Sequence, residues 1–428
     1  MKRLGTLTLS LAASLLFGQT PQKLAFNEEY RQLSVSAATN LLYEAKLEKG
    51  KTYQFAAMQL DIDIMLVLQD ENGATVQEMD SPNGKYGKEI FEFSPPKTST
   101  YRLTIKRFVE EGNTENGKVS FYVKRFSEAE MRQREQAKKA LETENAKNTL
   151  TLDIDHFWEA FDALKSCKTH YDSVTCIQNL YFDRGTVGLQ DFIERRNWYA
   201  DDFVQVLRDS GAFYESVREK TFAVKQAGPI IQEVYEEMKS RYTGFKPFKV
   251  CFAIGKMSTG GTVSDRYVLI GTELTTTGDP AKIPQRIKGL VTHESVHTQQ
   301  PELLDSNAIV CNQLYFCLRE GAANFIGQLI SGTTNYGETD AYGEAHEAEL
   351  WEAFKSTLCR NDASNWLYNG DTANGHPADL GYYIGYKICQ AYYNNASDKR
   401  QAVADIIDKI NDPVAFLQKS GYDRQPKQ

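Results

Sequence analysis

His293-Glu294-Ser295-Val296-His297 is the stretch on which the reading of this 428-residue chain turns. With 3.6 residues per turn, side chains four apart on a helix point the same way. Two imidazoles on one face can share a zinc ion, and the glutamate beside the first can reach a water at that ion. Only six histidines occur in the chain, so a chance match to this pattern is expected on the order of 0.01 times per chain.

Outward from the motif, the period of apolar residues is helical from about residue 150 to the end. Amphipathic helices are expected over 157–164, 189–207 and 213–238, the motif helix over about 284–299, and further helices over 312–330, 341–358, 380–393 and 399–410. Two runs, 248–254 and 267–270, read instead as buried strands with the glycine-bearing segment 255–261 between or beside them. Gly260-Gly261 is either a turn or part of an edge strand able to pair with an extended peptide. A small sheet ahead of the motif helix, followed by more helices, is an α+β layout.

Residues 20–127 have a different period. Short β-branched or aromatic runs at 41–47, 52–57, 62–68, 90–93, 101–105 and 119–123 alternate with turn chemistry such as Glu71-Asn72-Gly73 and Asn116-Gly117. Strands at this spacing predict a small antiparallel sandwich. The string Asp61-Ile-Asp-Ile-Met-Leu-Val-Leu-Gln-Asp-Glu-Asn-Gly73, with Tyr101-Arg-Leu-Thr-Ile105, resembles the pre-peptidase C-terminal type of β-sandwich that accompanies many secreted bacterial peptidases. Residues 128–149 are nearly all Glu, Lys, Arg, Gln and Ala, a composition for a solvated helical linker.

At the start, Lys2 and Arg3, the apolar stretch 4–17 and Gly18 read as a secretory signal over residues 1–18, with a mature chain from about Gln19. Export to the periplasm or the outside is therefore expected, with no stable membrane insertion. The formal net charge is −8 and grows more negative without Lys2 and Arg3. An acidic chain without basic clusters is a poor match for nucleic acid. All seven cysteines lie between Cys167 and Cys389 and none forms C-x-x-C, which argues against a cysteine zinc cluster or a redox pair. Export permits disulfides, and Cys167 with Cys176 is the expected local pair.

A hydrolytic zinc site needs three protein ligands and one open position. His293 and His297 supply two. No histidine lies in 298–303, which excludes the metzincin pattern, whereas a gluzincin draws a Glu from a second helix. Arg319-Glu320-Gly-Ala-Ala-Asn324-Phe325 fits that pattern, with Glu320 as third ligand. Thermolysin-like gluzincins carry an acidic residue four places later. Asn324 stands there, and its amide oxygen can accept the same imidazole bond more weakly. Glu294 is the expected general base. For a donor to the oxyanion, Tyr382 in Gly381-Tyr-Tyr-Ile-Gly-Tyr386 is favoured, Tyr386 shares its helical face, and His346 and His376 are alternatives.

With Gly260-Gly-Thr262, Trp366-Leu-Tyr-Asn-Gly370 and Gly381-Tyr-x-x-Gly-Tyr386, the motif and Glu320-Gly-Ala-Ala resemble the bacterial predicted zinc-dependent proteases of gluzincin type. The expectation is multi-domain: an all-β sandwich, a charged helical linker, and a mainly helical α+β zincin-like metallopeptidase domain over 150–428. It would bind one Zn2+ per chain and cut peptide or protein substrates internally, and its sandwich is a candidate for holding glycan or protein. The rival is an inactive zincin-fold binding or scaffold protein at the cell surface.

Overall fold

Alternation dictates the N-terminal architecture. Ile64, Leu66 and Leu68, Leu103 and Ile105, and Val119, Phe121 and Val123 are each at most 2% exposed, because every second side chain of a strand faces the same way. The computed structural model describes residues 20–81, 85–108, 116–303, 309–333, 337–370 and 376–424. The expected signal segment lies outside the described residues.

Strands β1 (Gln22–Lys23), β2 (Glu29–Val35), β3 (Leu41–Leu47), β4 (Tyr53–Leu60), β5 (Ile64–Gln69), β6 (Thr75–Met79), β7 (Tyr86–Phe93), β8 (Ser99–Arg107) and β9 (Gly117–Arg125) form two sheets. Their orders are β1-β3-β8-β5-β6 and β2-β9-β4-β7. Pairing is antiparallel except between β1 and β3. The inner faces meet in one core, where the rings of Tyr43 and Phe121 lie 4.8 Å apart. This is the expected sandwich, with three strands that the apolar period does not show. β2 and β6 are mostly exposed or half-buried, so they carry no alternation to read, and β1 has two residues.

Helix α1 (Glu128–Asn145) follows, and Glu144 is its one buried residue. The chain divides into two compact units, the first ending at Ala137 and the second beginning at Lys138. Among the described residues, no helix is long and apolar enough to cross a membrane.

The second unit is mainly helical. Its helices are α2 (Leu152–Ala163), α3 (His170–Ile177), α4 (Val187–Arg196), α5 (Ala200–Thr221), α6 (Gly228–Arg241), α7 (Thr272–Thr275), α8 (Ile283–Gln299), α9 (Asn312–Ser331), α10 (Gly337–Ala345), α11 (Glu347–Ser356), α12 (Leu380–Asn395), α13 (Lys399–Asp408) and α14 (Pro413–Ser420). Its sheet has the order β10-β11-β13-β12, from β10 (Thr149–Leu150), β11 (Lys249–Ala253), β12 (Gly261–Val263) and β13 (Tyr267–Gly271). β10, β11 and β13 run parallel, and every residue of β13 is buried. β12 is antiparallel to β13 on the outside, with Gly261 opposite Ile270. Helix α8 packs on β12 and β13, α9 on α8, and α12 on α9.

Four expectations are corrected. The helix expected over 189–207 is α4 and the start of α5, parted at Asn197, which is left-handed with φ 48°. The helix expected over 213–238 is the end of α5 plus α6. A 3-10 turn at Phe222–Gln226 separates them, and Pro229, which lacks a backbone N–H, sits in the first turn of α6. The helix expected over 341–358 breaks at His346, whose φ of −130° is not helical. The disulfide joins Cys311 to Cys359, not Cys167 to Cys176. The latter two are free thiols bonded to the Ala163 and Ala160 carbonyls. Burial and the neighbouring Cys167 push the Cys176 thiol up to about 12.

Candidate metal centre

The apolar positions of α8 bury its motif face: Val291, Thr292, Ser295 and Val296 have no exposed surface, and His293 and Glu294 are buried. His293 and His297 lie one turn apart on it, and their Nε2 atoms approach to 3.3 Å. Glu320, in the middle of α9, brings Oε2 to 3.2 Å from His297 Nε2 and 3.5 Å from His293 Nε2. A tetrahedral zinc with bonds of about 2.0–2.1 Å has donor–donor edges of about 3.3–3.4 Å. The donor set and its spacing therefore fit that ion, and this is the one such three-residue group among the described residues.

The outer nitrogens of both rings are occupied, which fixes the tautomers. His297 Nδ1 lies 2.8 Å from Gln300 Oε1, and Gln300 Nε2 donates to the Arg319 carbonyl, so the Gln300 oxygen must face the ring. His293 Nδ1 lies 2.7 Å from Asn324 Oδ1. An amide oxygen only accepts, so each Nδ1 carries a proton and each Nε2 is turned to the centre, where a neutral ring presents its lone pair. Asn324 thus holds the imidazole as its place in the sequence suggests.

Charge also converges here. Burial favours a neutral His297 ring, yet Glu320 and its hydrogen bond raise the ring to about 9. Burial pushes the Glu320 carboxyl up, but the two histidines outweigh it and hold it well below the usual range. Burial raises Glu294, against the pull of His293 and His297. Two carboxylates around two imidazoles form a cavity that favours positive charge.

Glu294 is packed beneath the edge strand. A Cβ on Gly261 would lie 2.6 Å from Glu294 Oε1, so only glycine permits this approach. The segment leading into β12 is pinned by Glu273, fully buried at the start of α7, whose carboxylate accepts from Gly255 N at 2.8 Å and Met257 N at 3.1 Å. Met257 is left-handed there, with φ 57°.

Tyr382 is buried with its ring centroid 6.1 Å from that of His293. Tyr386, one turn on, lines a small cavity with His293 and Asn324. His346 stacks on Tyr342 at 4.1 Å and His376 packs on the same ring at 6.2 Å, so neither joins the cluster. Two residues enter that the sequence reading did not single out. Tyr368 Oη donates to Glu320 Oε1 at 2.7 Å. It does so although the residue is 72% exposed and left-handed with φ 58°. A bulky residue held in that conformation costs about 1–2 kcal/mol and clusters at functional sites. Arg196 Nη2 donates to Thr259 Oγ1 at 2.6 Å and the Gly261 carbonyl at 3.4 Å. The signal for Tyr368 was its place in Trp366-Leu-Tyr-Asn-Gly370; Arg196 offered none.

Residues 255–408 match a family described as "Predicted Zn-dependent protease". No curated protein matches the chain. Solved structures similar to about a quarter of it include the following three. The pre-peptidase C-terminal domain of collagenase from Bacillus anthracis is similar at 15% identity over 25% of this chain and 97% of that one, with a TM-score of 0.21. A periplasmic inhibitor of g-type lysozyme from Aeromonas hydrophila is similar at 12% identity over 25% and 96%, with a TM-score of 0.21. The surface-associated copper-binding protein CorA of Methylomicrobium album BG8 is similar at 11% identity over 24% and 97%, with a TM-score of 0.19.

Proposed function

We propose that this chain is an exported zinc-dependent endopeptidase of the gluzincin kind, with His293, His297 and Glu320 as the ligands of one zinc ion and Glu294 as general base. The observation that carries this reading is the approach of three donor atoms to 3.2–3.5 Å with a buried carboxylate on the same helix. Zinc, when bound, supplies Lewis acidity and lowers the pKa of water towards about 7.

The chain's own residues account for the rest. Glu294 takes the proton of the attacking water at its carboxylate and delivers it to the leaving amine. Burial holds this carboxyl up, towards the range in which it can do both. Gln300 and Asn324 keep the two imidazoles aimed inward. β12, at the sheet edge beside Glu294, offers backbone groups to an extended substrate, which would add to the sheet as a further strand. Tyr368 presents its one O–H to Glu320 and is the donor we assign to the developing oxyanion, to which that proton would turn from the carboxylate, with the Tyr382 ring backing His293.

The test is a paired measurement of metal content and turnover of an unfolded protein. Glu294→Gln should keep one zinc per chain and lose activity by about 10²–10⁴-fold. Zinc-loaded wild type that cuts nothing, or a variant that cuts as well as wild type, would overturn the reading.

A further inference from the structure

The peptidase reading leaves one charged side chain at the site without a task. Arg196 ends α4, is exposed, and anchors through Nη2 alone to Thr259 and Gly261, the entry to the strand that covers Glu294. Among the described residues no carboxylate pairs with it, and no acceptor meets its Nε or Nη1. What sets Arg196 apart is its place, held against the edge strand with two open donor edges in a chain of net charge −8. It is tied to the cluster through Gly261, which it holds and which packs on Glu294, and its charge acts on Glu294 and Tyr368.

A guanidinium offers five N–H donors and remains charged at any working pH, so a carboxylate can accept a charge-assisted bond from either of its open edges. A peptide paired with the outer edge of β12 would run past Thr259 and Gly261, where that guanidinium is anchored. We infer that Arg196 is a specificity-determining residue that receives a carboxylate of the substrate at one of its two open edges, through Nε–H or through Nη1–H. The inference rests on the peptidase reading and adds a substrate class to it. The carboxylate is either an acidic side chain near the scissile bond or a free C-terminus.

Binding tests this apart from turnover. Zinc-loaded Glu294→Gln protein is titrated with fluorescent peptides of one sequence carrying Glu or Gln at set positions, each as free acid and as amide. Fluorescence anisotropy is the readout. At least one carboxylate-bearing member should bind at least about tenfold more tightly than its neutral counterpart. A preference for Glu over Gln assigns the side chain; a preference for acid over amide assigns the C-terminus. Adding Arg196→Ala should shrink the ratio to within about twofold, Arg196→Lys should leave it intermediate, and Arg195→Ala should leave it intact. Equal binding of all members, no binding of any, or a preference that survives Arg196→Ala would overturn the inference. A preference that follows Arg196 while wild type cuts no peptide would instead support carboxylate recognition and sink the peptidase reading.

Discussion

Gly321 of α9 and Gly385 of α12 touch backbone to backbone: a Cβ on Gly321 would fall 2.0 Å from the Gly385 carbonyl carbon, and one on Gly385 would fall 1.8 Å from the Cys317 carbonyl oxygen. Glu320 precedes one of these glycines, so the position of a proposed ligand depends on how closely the two helices pack. Gly321→Ala should push them apart, cost about 1–3 kcal/mol or more, and weaken zinc retention. Thermal unfolding and zinc content check both; a variant matching wild type in each would show that the helices have room.

The Cys311–Cys359 disulfide closes 48 residues and fixes the start of α9. Restricting the unfolded chain over that length is worth about 4 kcal/mol at 25 °C. Cys359→Ser should lose most of this in urea unfolding of the oxidised protein. Addition of reductant should lower wild type to the level of the variant and leave the variant unchanged.

Glu273 sets a pH dependence. Burial raises its carboxyl to about 7, against the backbone N–H groups of Gly255 and Met257 that pull it down. A carboxyl raised above its unfolded value of about 4.5 leaves the folded state holding more protons between those two pH values. Stability is then full below about 4.5 and falls until about 7, by about 3 kcal/mol. Glu273→Gln keeps an acceptor and removes the titration, so its stability should fall less than that of wild type between pH 4.5 and 7.5. Parallel curves for the two proteins would contradict the assignment.

Much of this architecture is legible in sequence because its signals are local. The His293–His297 spacing and the alternation of Ile64, Leu66 and Leu68 both follow from the geometry of one element. Glu320 was reached through a family pattern, and its approach to the imidazoles depends on the packing of α9 on α8. Tyr368 reaches Glu320 across 48 residues from an irregular turn, and Arg196 reaches Gly261 across 65. Neither has a period to betray it. The true disulfide likewise spans 48 residues, whereas proximity in sequence favoured Cys167 with Cys176. β2 and β6 escaped because strands with little buried surface show no alternation.

Asn324 is expected to act on zinc through His293. Asn324→Leu removes the acceptor at Nδ1 and should weaken zinc binding by about 10–100-fold, measured by competition with a chelator. Asn324→Asp should bind zinc at least as tightly as wild type. Unchanged affinity in the leucine variant would remove Asn324 from the account.

Zinc-edge anomalous scattering from crystals of zinc-loaded protein tests the central claim most directly. The account predicts one peak per chain within bonding distance of His293 Nε2, His297 Nε2 and a carboxylate oxygen of Glu320. No peak there, a peak at the free cysteines instead, or Glu320 turned away from a zinc held by the two histidines would contradict it.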